Sequence, residues 1–362
     1  LKQTKMMFML LVLMMVVLSA CGNNQDAEDV NEQEETQEDI TNETDTEENT
    51  EETEQGSDEG ETNGNTSGSH TANTVVFSQG EGTVINPGII ECKGGRVSAV
   101  GEVTEEDGST WTVPTSPADM ETASDLLNQC TDVQFNSIDE LDLDSIPVVE
   151  IDEDGEIITG YIFADNYFEL YVNGEPVAKD AVPFTPFNSH VVRFKASYPM
   201  TYAIKAVDWE ENVGLGTESN KGSDYHPGDA GIVAVFSDGT VTNGSWLAQS
   251  YYISPLAAKE DLTIQEKDGK IIHTSPDYRG DVTCTTDCYA AHFELSDNWY
   301  GVDFDDSTFP NAVTYTTGQI GVDNKNSYTN FSETFGQGEF VWTQNLVYDN
   351  VIILRHTVNQ PQ

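Results

Sequence analysis

From Thr74 onward, apolar and polar side chains alternate over runs of four to nine residues, and turn-forming pairs break the runs. A period of two puts every second side chain on the same face of an extended strand. The pattern predicts strands at Thr74–Phe77, Arg96–Val103, Thr110–Val113, Ile157–Phe163, Phe168–Val172, Val191–Ser197, Tyr202–Val207, Gly231–Phe236, Leu262–Glu266, Lys270–Thr274, Phe340–Thr343 and Asn350–Val358. Between them recur Asp107-Gly108, Asp154-Gly155, Asn173-Gly174, Asp238-Gly239 and Asp268-Gly269. Such pairs supply the positive φ that tight hairpins require. One helix is expected near Ser116–Cys130, with Pro117 in its first turn. No other helical period and no internal repeat is evident. The fold class is therefore all-β, with a small β-rich segment over 75–145 and a larger β domain over 146–362.

The chain before Thr74 follows different rules. Lys2 and Lys5 precede an unbroken apolar run from Met6 to Leu18. Thirteen residues are too few for a spanning helix of ~20 and suit the apolar core of an export signal. The run ends in Leu18-Ser19-Ala20-Cys21-Gly22, which resembles the lipobox of bacterial lipoproteins. The resemblance implies removal of residues 1–20, acylation of Cys21, and an extracytoplasmic protein held to the bacterial membrane by its lipid. Two or three acyl chains make a stable anchor where one is marginal. Residues 21–74 are rich in Glu, Asp, Thr, Asn and Gly and lack aromatic residues. Such a segment buries too little apolar surface to offset its ordering entropy. It reads as a disordered, charge-extended tether.

Charge narrows the function classes. The 362 residues include 64 Asp and Glu against 15 Lys and Arg, a formal net charge of -49. Phosphate backbones repel such a chain, so nucleic acid is excluded as a partner. An anionic lipid surface finds no polybasic patch. The tether holds 18 of the acids, which leaves 46 acids against 13 bases in residues 75–362. The body is thus strongly acidic in its own right, as suits solubility in high salt or the holding of cations. Besides Cys21 there are four cysteines, Cys92, Cys130, Cys284 and Cys288. An even count in an exported chain favours disulfides. Of three connectivities, Cys92–Cys130 with a local Cys284–Cys288 loop is preferred. Zinc at the second pair is disfavoured, since no His stands at ligand spacing.

Within the body, Ala164-Asp165-Asn166-Tyr167-Phe168-Glu169-Leu170-Tyr171-Val172-Asn173-Gly174 resembles a strand and turn of galactose-binding-like β-sandwich (jelly-roll) domains. Thr201–Asp208, Gly231–Phe236 with Ser245-Trp246, the stretch from Trp299 to Ala312, Phe340-Val341-Trp342 and Ile353-Leu354-Arg355 are similar to further pieces of that family. Phe309 stands where the family usually has a second Trp. The Asp305-Asp306-Ser307 segment comes last here and first in the common arrangement, so the resemblance implies a circular permutation, which a sandwich with neighbouring termini tolerates. It covers roughly 145–362 and implies a fold more than a function, because this fold hosts many ligands.

Several polar residues are candidates for chemistry. Asp165 and Asn166 match positions where some relatives hold a structural calcium; a turn in which both side chains bond nearby N–H groups is the favoured reading. Glu150, Asp152, Asp154 and Gly155 imitate the start of a calcium loop, but the twelfth position is Tyr161, so a hairpin turn is expected. Asp305 and Asp306 are neighbours, and on an extended chain they face opposite ways, so a structural turn is preferred to a catalytic pair. Trp209, Glu210 and Glu211 follow a strand. An exposed Trp beside carboxylates makes a sugar platform, and a core Trp at the sandwich rim explains the same residues equally well. Tyr225 and His226 lie in the next loop, and Asn324 and Tyr328 in another polar and aromatic one. No nucleophile elbow, zinc-protease helix, phosphate loop or dinucleotide fingerprint is present. The expectation is a non-catalytic, ligand-binding sandwich with an extracellular glycan as partner. The alternatives are a glycan-acting enzyme with two facing carboxylates ~5–10 Å apart, or a structural, partner-binding surface protein.

Overall fold

The structure is a computed structural model that describes residues 74–91, 97–105, 108–128, 130–181, 187–219, 225–280, 284 and 286–360. The export segment, Cys21, the acidic tether and Cys92 lie outside the described residues. In chain order the strands are β1 (Val75–Gln79), β2 (Thr83–Glu91), β3 (Val97–Thr104), β4 (Thr110–Val113), β5 (Ser124–Asn128), β6 (Val133–Gln134), β7 (Val149–Glu150), β8 (Glu156–Asp165), β9 (Tyr167–Val172), β10 (Glu175–Lys179), β11 (Asn188–Ala196), β12 (Met200–Val207), β13 (Gly231–Phe236), β14 (Leu247–Leu256), β15 (Thr263–Lys267), β16 (Lys270–Thr274), β17 (Tyr289–Phe293), β18 (Val313–Tyr315), β19 (Phe340–Trp342) and β20 (Asp349–Val358). The fold is all-β. Three four-residue helices, α1 (Thr317–Ile320), α2 (Asn326–Thr329) and α3 (Ser332–Phe335), follow β18. Among the described residues no helix is long and apolar enough to cross a membrane.

One large sheet runs β1-β17-β14-β20-β12-β9-β10, and the other runs β18-β19-β13-β8-β11-β5-β6 with β7 beside β11. Every pairing in the two sheets is antiparallel except β7 with β11. β2, β3 and β4 form a small sheet of their own, and β15 and β16 a hairpin. The expected turns close β9–β10 and β15–β16: Asn173 and Gly174 have φ of 53° and 83°, and Asp268 and Gly269 have 53° and 75°. Two successive positive φ values match the right-handed twist of the strands they join.

The two large sheets face each other. Tyr202 of β12 packs on Phe194 of β11 and Phe236 of β13, with ring centroids 6.1 and 4.6 Å apart. Phe168 of β9 meets His190 of β11 edge-on at 5.4 Å. Gly160 lets the Phe236 ring close in, since a Cβ there would stand 2.6 Å from it.

The outer faces are covered as well. All six residues of β9 and all eight of β12 are buried. Over the first sheet lies the stretch from Trp299 to Ala312. Tyr171 stacks on Tyr300 at 4.3 Å. Buried Arg355 of β20 donates to the carbonyls of Trp299 and Gly301 at 2.6 and 2.9 Å and to Asp306 at 2.8 Å. Asp305 accepts from the Ser307 N–H at 3.0 Å, so the acid pair shapes a turn. On the same face Glu169 pairs with Lys205 at 2.9 Å and accepts from Tyr167 and the Ala118 N–H. Over the second sheet, Tyr328, Phe335 and Phe340 pack their ring edges or faces on Phe163. Buried His190 lies 3.2 Å from Asp125 and 3.5 Å from Asp180. Burial alone would lower its pKa; the two carboxylates overcome that and hold it up at about 10.

Two expectations are corrected. The helix expected near Ser116–Cys130 is not formed: Ser124–Asn128 is strand β5, wedged between β11 and β6 with Leu126, Leu127 and Asn128 buried. Tertiary pairing has overridden a local helical signal. Residues 75–145 are also not a separate β unit. β1 is an edge of the first large sheet, and β5 and β6 belong to the second. Cys284 and Cys288 form a disulfide. Cys130 is disulfide-bonded too, with its partner outside the described residues.

Candidate ligand-binding site

Strands β8 and β12 end, and β13 and β20 begin, at one end of the sandwich, because Asp165 pairs with Gly231 and Val207 with Val351. The loops there carry most of the residues singled out in the sequence. Asn166 ties them together. Its N–H donates to Val207 O at 3.1 Å, its Oδ1 accepts from the Trp209 N–H at 2.7 Å, and its Nδ2 donates to Asp165 at 2.9 Å. Both Asp165 and Asn166 are buried. Asp152 likewise accepts from the Asp154 N–H at 2.9 Å and shapes the turn before β8.

Trp209 is not a platform. It is 2 % exposed, with its ring edge on Tyr167. Glu210 is equally buried and gathers the following loop. It accepts from the Gly216 N–H and from the Tyr252 hydroxyl, the latter at 3.2 Å. Gly214 and Gly216, with φ of 89° and 56°, turn the chain so that the Gly216 N–H meets the carboxylate while the Leu215 N–H bonds Asn212 O at 3.0 Å. Burial pushes the Glu210 carboxyl up to about 7 against the pull of these donors. Glu211 accepts from the N–H and hydroxyl of Ser219 at 3.1 and 2.9 Å. These three residues therefore organise a loop and offer no stacking face. An aromatic side chain next to acids reads the same in sequence whether the ring points out or in.

Tyr225 is at the surface, 37 % exposed. His226 bonds Pro227 O through Nδ1 at 2.9 Å, and its main chain pairs with Glu218. Asp229, just before β13, pairs with Arg279 at 2.5 Å, and Arg279 also reaches Gln319 O at 3.4 Å. Tyr278, beside that arginine, is 57 % exposed. The neighbouring loop is fixed by Asn345, which donates to Ser275 and Pro276 O and accepts from the N–H groups of Val347 and Tyr348. Buried Asp349 accepts from Thr343 at 2.5 Å and from the Asn345 N–H at 3.3 Å; burial pushes its pKa up to about 6. Sequence reading missed Tyr278 and Arg279. The signal was there, since an arginine in a body with 13 bases is a rare residue.

Asn324 and Tyr328 do not join this group. Asn324 lines a cleft of about 210 Å³ together with Leu127, Gln134, Phe187 and Lys325, whose Nζ lies 4.3 Å from the Phe187 ring. Tyr328 belongs to the aromatic packing over Phe163 and stacks on Phe335. Among the described residues no three His, Cys, Asp or Glu side chains stand together at metal-ligating spacing. Comparisons with family models, with curated proteins and with solved structures found no match.

Proposed function

We propose that the chain is an exported, lipid-anchored surface protein whose sandwich, of galactose-binding-like jelly-roll type with permuted strand order, binds an extracellular glycan without cleaving it. One observation carries this reading. Among the described residues the exposed large apolar side chains include two aromatic rings, Tyr225 and Tyr278, and the loops that bear them are clamped together by the Asp229–Arg279 pair. Aromatic faces take up the C–H faces of sugars, and charged groups beside them bond hydroxyls. Two exposed rings on loops joined by an ion pair, one of them leading into β13 inside the second sheet, are pre-ordered for such a ligand. The Leu18-Ser19-Ala20-Cys21 sequence and the acidic tether supply the exported, anchored setting.

The test is a glycan array followed by titration of any bound glycan, with and without calcium. Tyr225→Ala with Tyr278→Ala is expected to weaken binding at least tenfold while the melting temperature stays near that of the wild type. Absence of glycan binding in both conditions, or equal binding by the double variant, refutes the reading.

A further inference from the structure

A groove along the side of the sandwich shares no lining residue with the loop end. It consists of two adjoining clefts of about 150 and 420 Å³ that have Glu121, Thr122, Val149 and Val177 in common. The inner cleft opens where β11 lacks a neighbour: β5 pairs with Ser189–Val191 and β7 with Phe194 and Lys195, which leaves Val192 and Arg193 between them. Its floor includes Ile146, Val177 and Val191, all buried. The outer cleft lies on β10, the last strand of the first sheet. The chain occupies part of that edge itself. The Ala123 N–H donates to Lys179 O at 2.8 Å and the Lys179 N–H to Glu121 O at 3.0 Å, so Thr122 runs parallel to β10 in extended form. From Glu175 to Ala178 no described strand covers the outer side of β10. Asp119 and Glu121 are exposed at this groove and pair with no base among the described residues. The bases nearby are engaged: Lys179 donates to Ala118 O and Arg193 to Leu143 O.

We propose that this groove binds a short extended peptide with alternating apolar and basic side chains. The groove continues the line on which the chain's own segment Glu121–Ala123 lies along β10, so it has the shape an extended chain fills. Such a chain sends alternate side chains to opposite sides. The apolar ones enter over Val149 and Val177, and the basic ones meet Asp119 and Glu121. The floor supplies apolar contact, and the unpaired acids select the sign of the partner. A second copy of this chain is disfavoured there, since residues 75–362 carry 46 acids against 13 bases, and so is the acid-rich segment 21–74. Pro176 has no N–H and the register with β9 shifts across Val177. A continuous ladder on this edge is therefore interrupted, and side chains carry the recognition. The proposal does not depend on the glycan reading, and its readouts involve no sugar.

Fluorescein-labelled octapeptides of alternating Val and Lys, Val and Glu, or Ser and Lys are titrated with the full-length protein and followed by fluorescence anisotropy. The buffer holds about 0.15 M NaCl, which screens long-range attraction. The Val-Lys peptide is expected to bind about tenfold more tightly than either of the others. Asp119→Lys with Glu121→Lys should weaken it about tenfold. Glu266→Lys with Glu294→Lys, at two exposed acids elsewhere, changes the net charge equally and should have little effect. Met120→Gln, at the half-buried methionine of the outer cleft, should weaken binding several-fold and leave the melting temperature in place. Equal weakening by the two charge-reversed pairs would mean diffuse attraction to an acidic body and overturns the proposal, as does full binding by Met120→Gln. No binding of the Val-Lys peptide, or equal binding of the Ser-Lys peptide, overturns it on the wild type alone, even if a variant fails to fold.

Discussion

Glu210 shows how one buried side chain sets the pH response of its loop. Its folded pKa of about 7 lies above the ordinary value of 4.5, and Asp349, at about 6, lies above 3.8. The folded state therefore holds protons that the unfolded chain has released. Stability is greatest below the unfolded values and falls as pH rises from about 4 to 7. His190, held at about 10, adds stability that is complete below its ordinary value of 6.5 and is lost as pH rises toward 10. We expect the melting temperature to be higher at pH 5 than at pH 7.5. In Glu210→Gln that difference should shrink, which thermal melts at the two pH values will show; an unchanged slope would remove Glu210 from the account. Little of this was legible in sequence. Trp209-Glu210-Glu211 was noticed, but its orientation depends on Asn166 and Tyr252, which lie 43 and 42 residues away from their partners. Asp208 passed unremarked as the last letter of a strand motif, because what bears on it comes from distant segments: its oxygens face Gly228, and Asp165, Glu218 and Asp229 add to the burial that raises its carboxyl.

At the scale of elements, the hydrophobic pattern located twelve strand segments, among them β9, β12 and β13, which are buried along their whole length. It passed over β2, β5, β6, β7, β10 and β18, and over β14 and β17 in the first large sheet. Leu247–Leu256 reads Leu-Ala-Gln-Ser-Tyr-Tyr-Ile-Ser-Pro-Leu, with nine of its ten residues buried and Pro255 inside it. A strand covered on both faces has no reason to alternate, and its polar residues find partners inside: Asn350 donates to Ser254 O at 2.8 Å. The cover on the first sheet was legible only as a family motif, yet its physics is plain. Arg355 bonds two carbonyls and Asp306 at once and stitches the Trp299–Ala312 stretch to β20. Arg355→Met leaves these acceptors unpaired and should lower stability by about 3 kcal/mol. Asp306→Asn should cost less, because that carboxylate is partly in water. Urea midpoints for both variants check the order; equal losses would show that the carbonyl bonds contribute little. Gly160→Ala should also destabilise, by about 1–3 kcal/mol, since its methyl meets the Phe236 ring.

Over the whole molecule, the excess of acids in the body is shared between exposed positions and the buried set at the loop end. Exposed repulsion is screened by any salt over a Debye length of about 10 Å at 0.1 M. We expect the melting temperature to rise smoothly with NaCl. A response to calcium alone would place the acidity at one site instead of over the surface.

The course of β1 adds a mechanical consequence. It pairs with β17 from Val75↔Phe293 to Gln79↔Tyr289, and β17 and β14 pair Tyr289 with Leu256, close to the loop end. β1 therefore runs toward the candidate site, and the chain enters it from the other side. If the chain upstream of β1 is held and a ligand is held at the loops, as proposed above, a pull between the two runs along the strand axis. The five paired positions of β1 and β17 would then slide against each other and bear the force together, where a sideways pull would unzip them one at a time. An edge strand, ordinarily the weakest seam of a sheet, is in this orientation loaded in shear along its whole length.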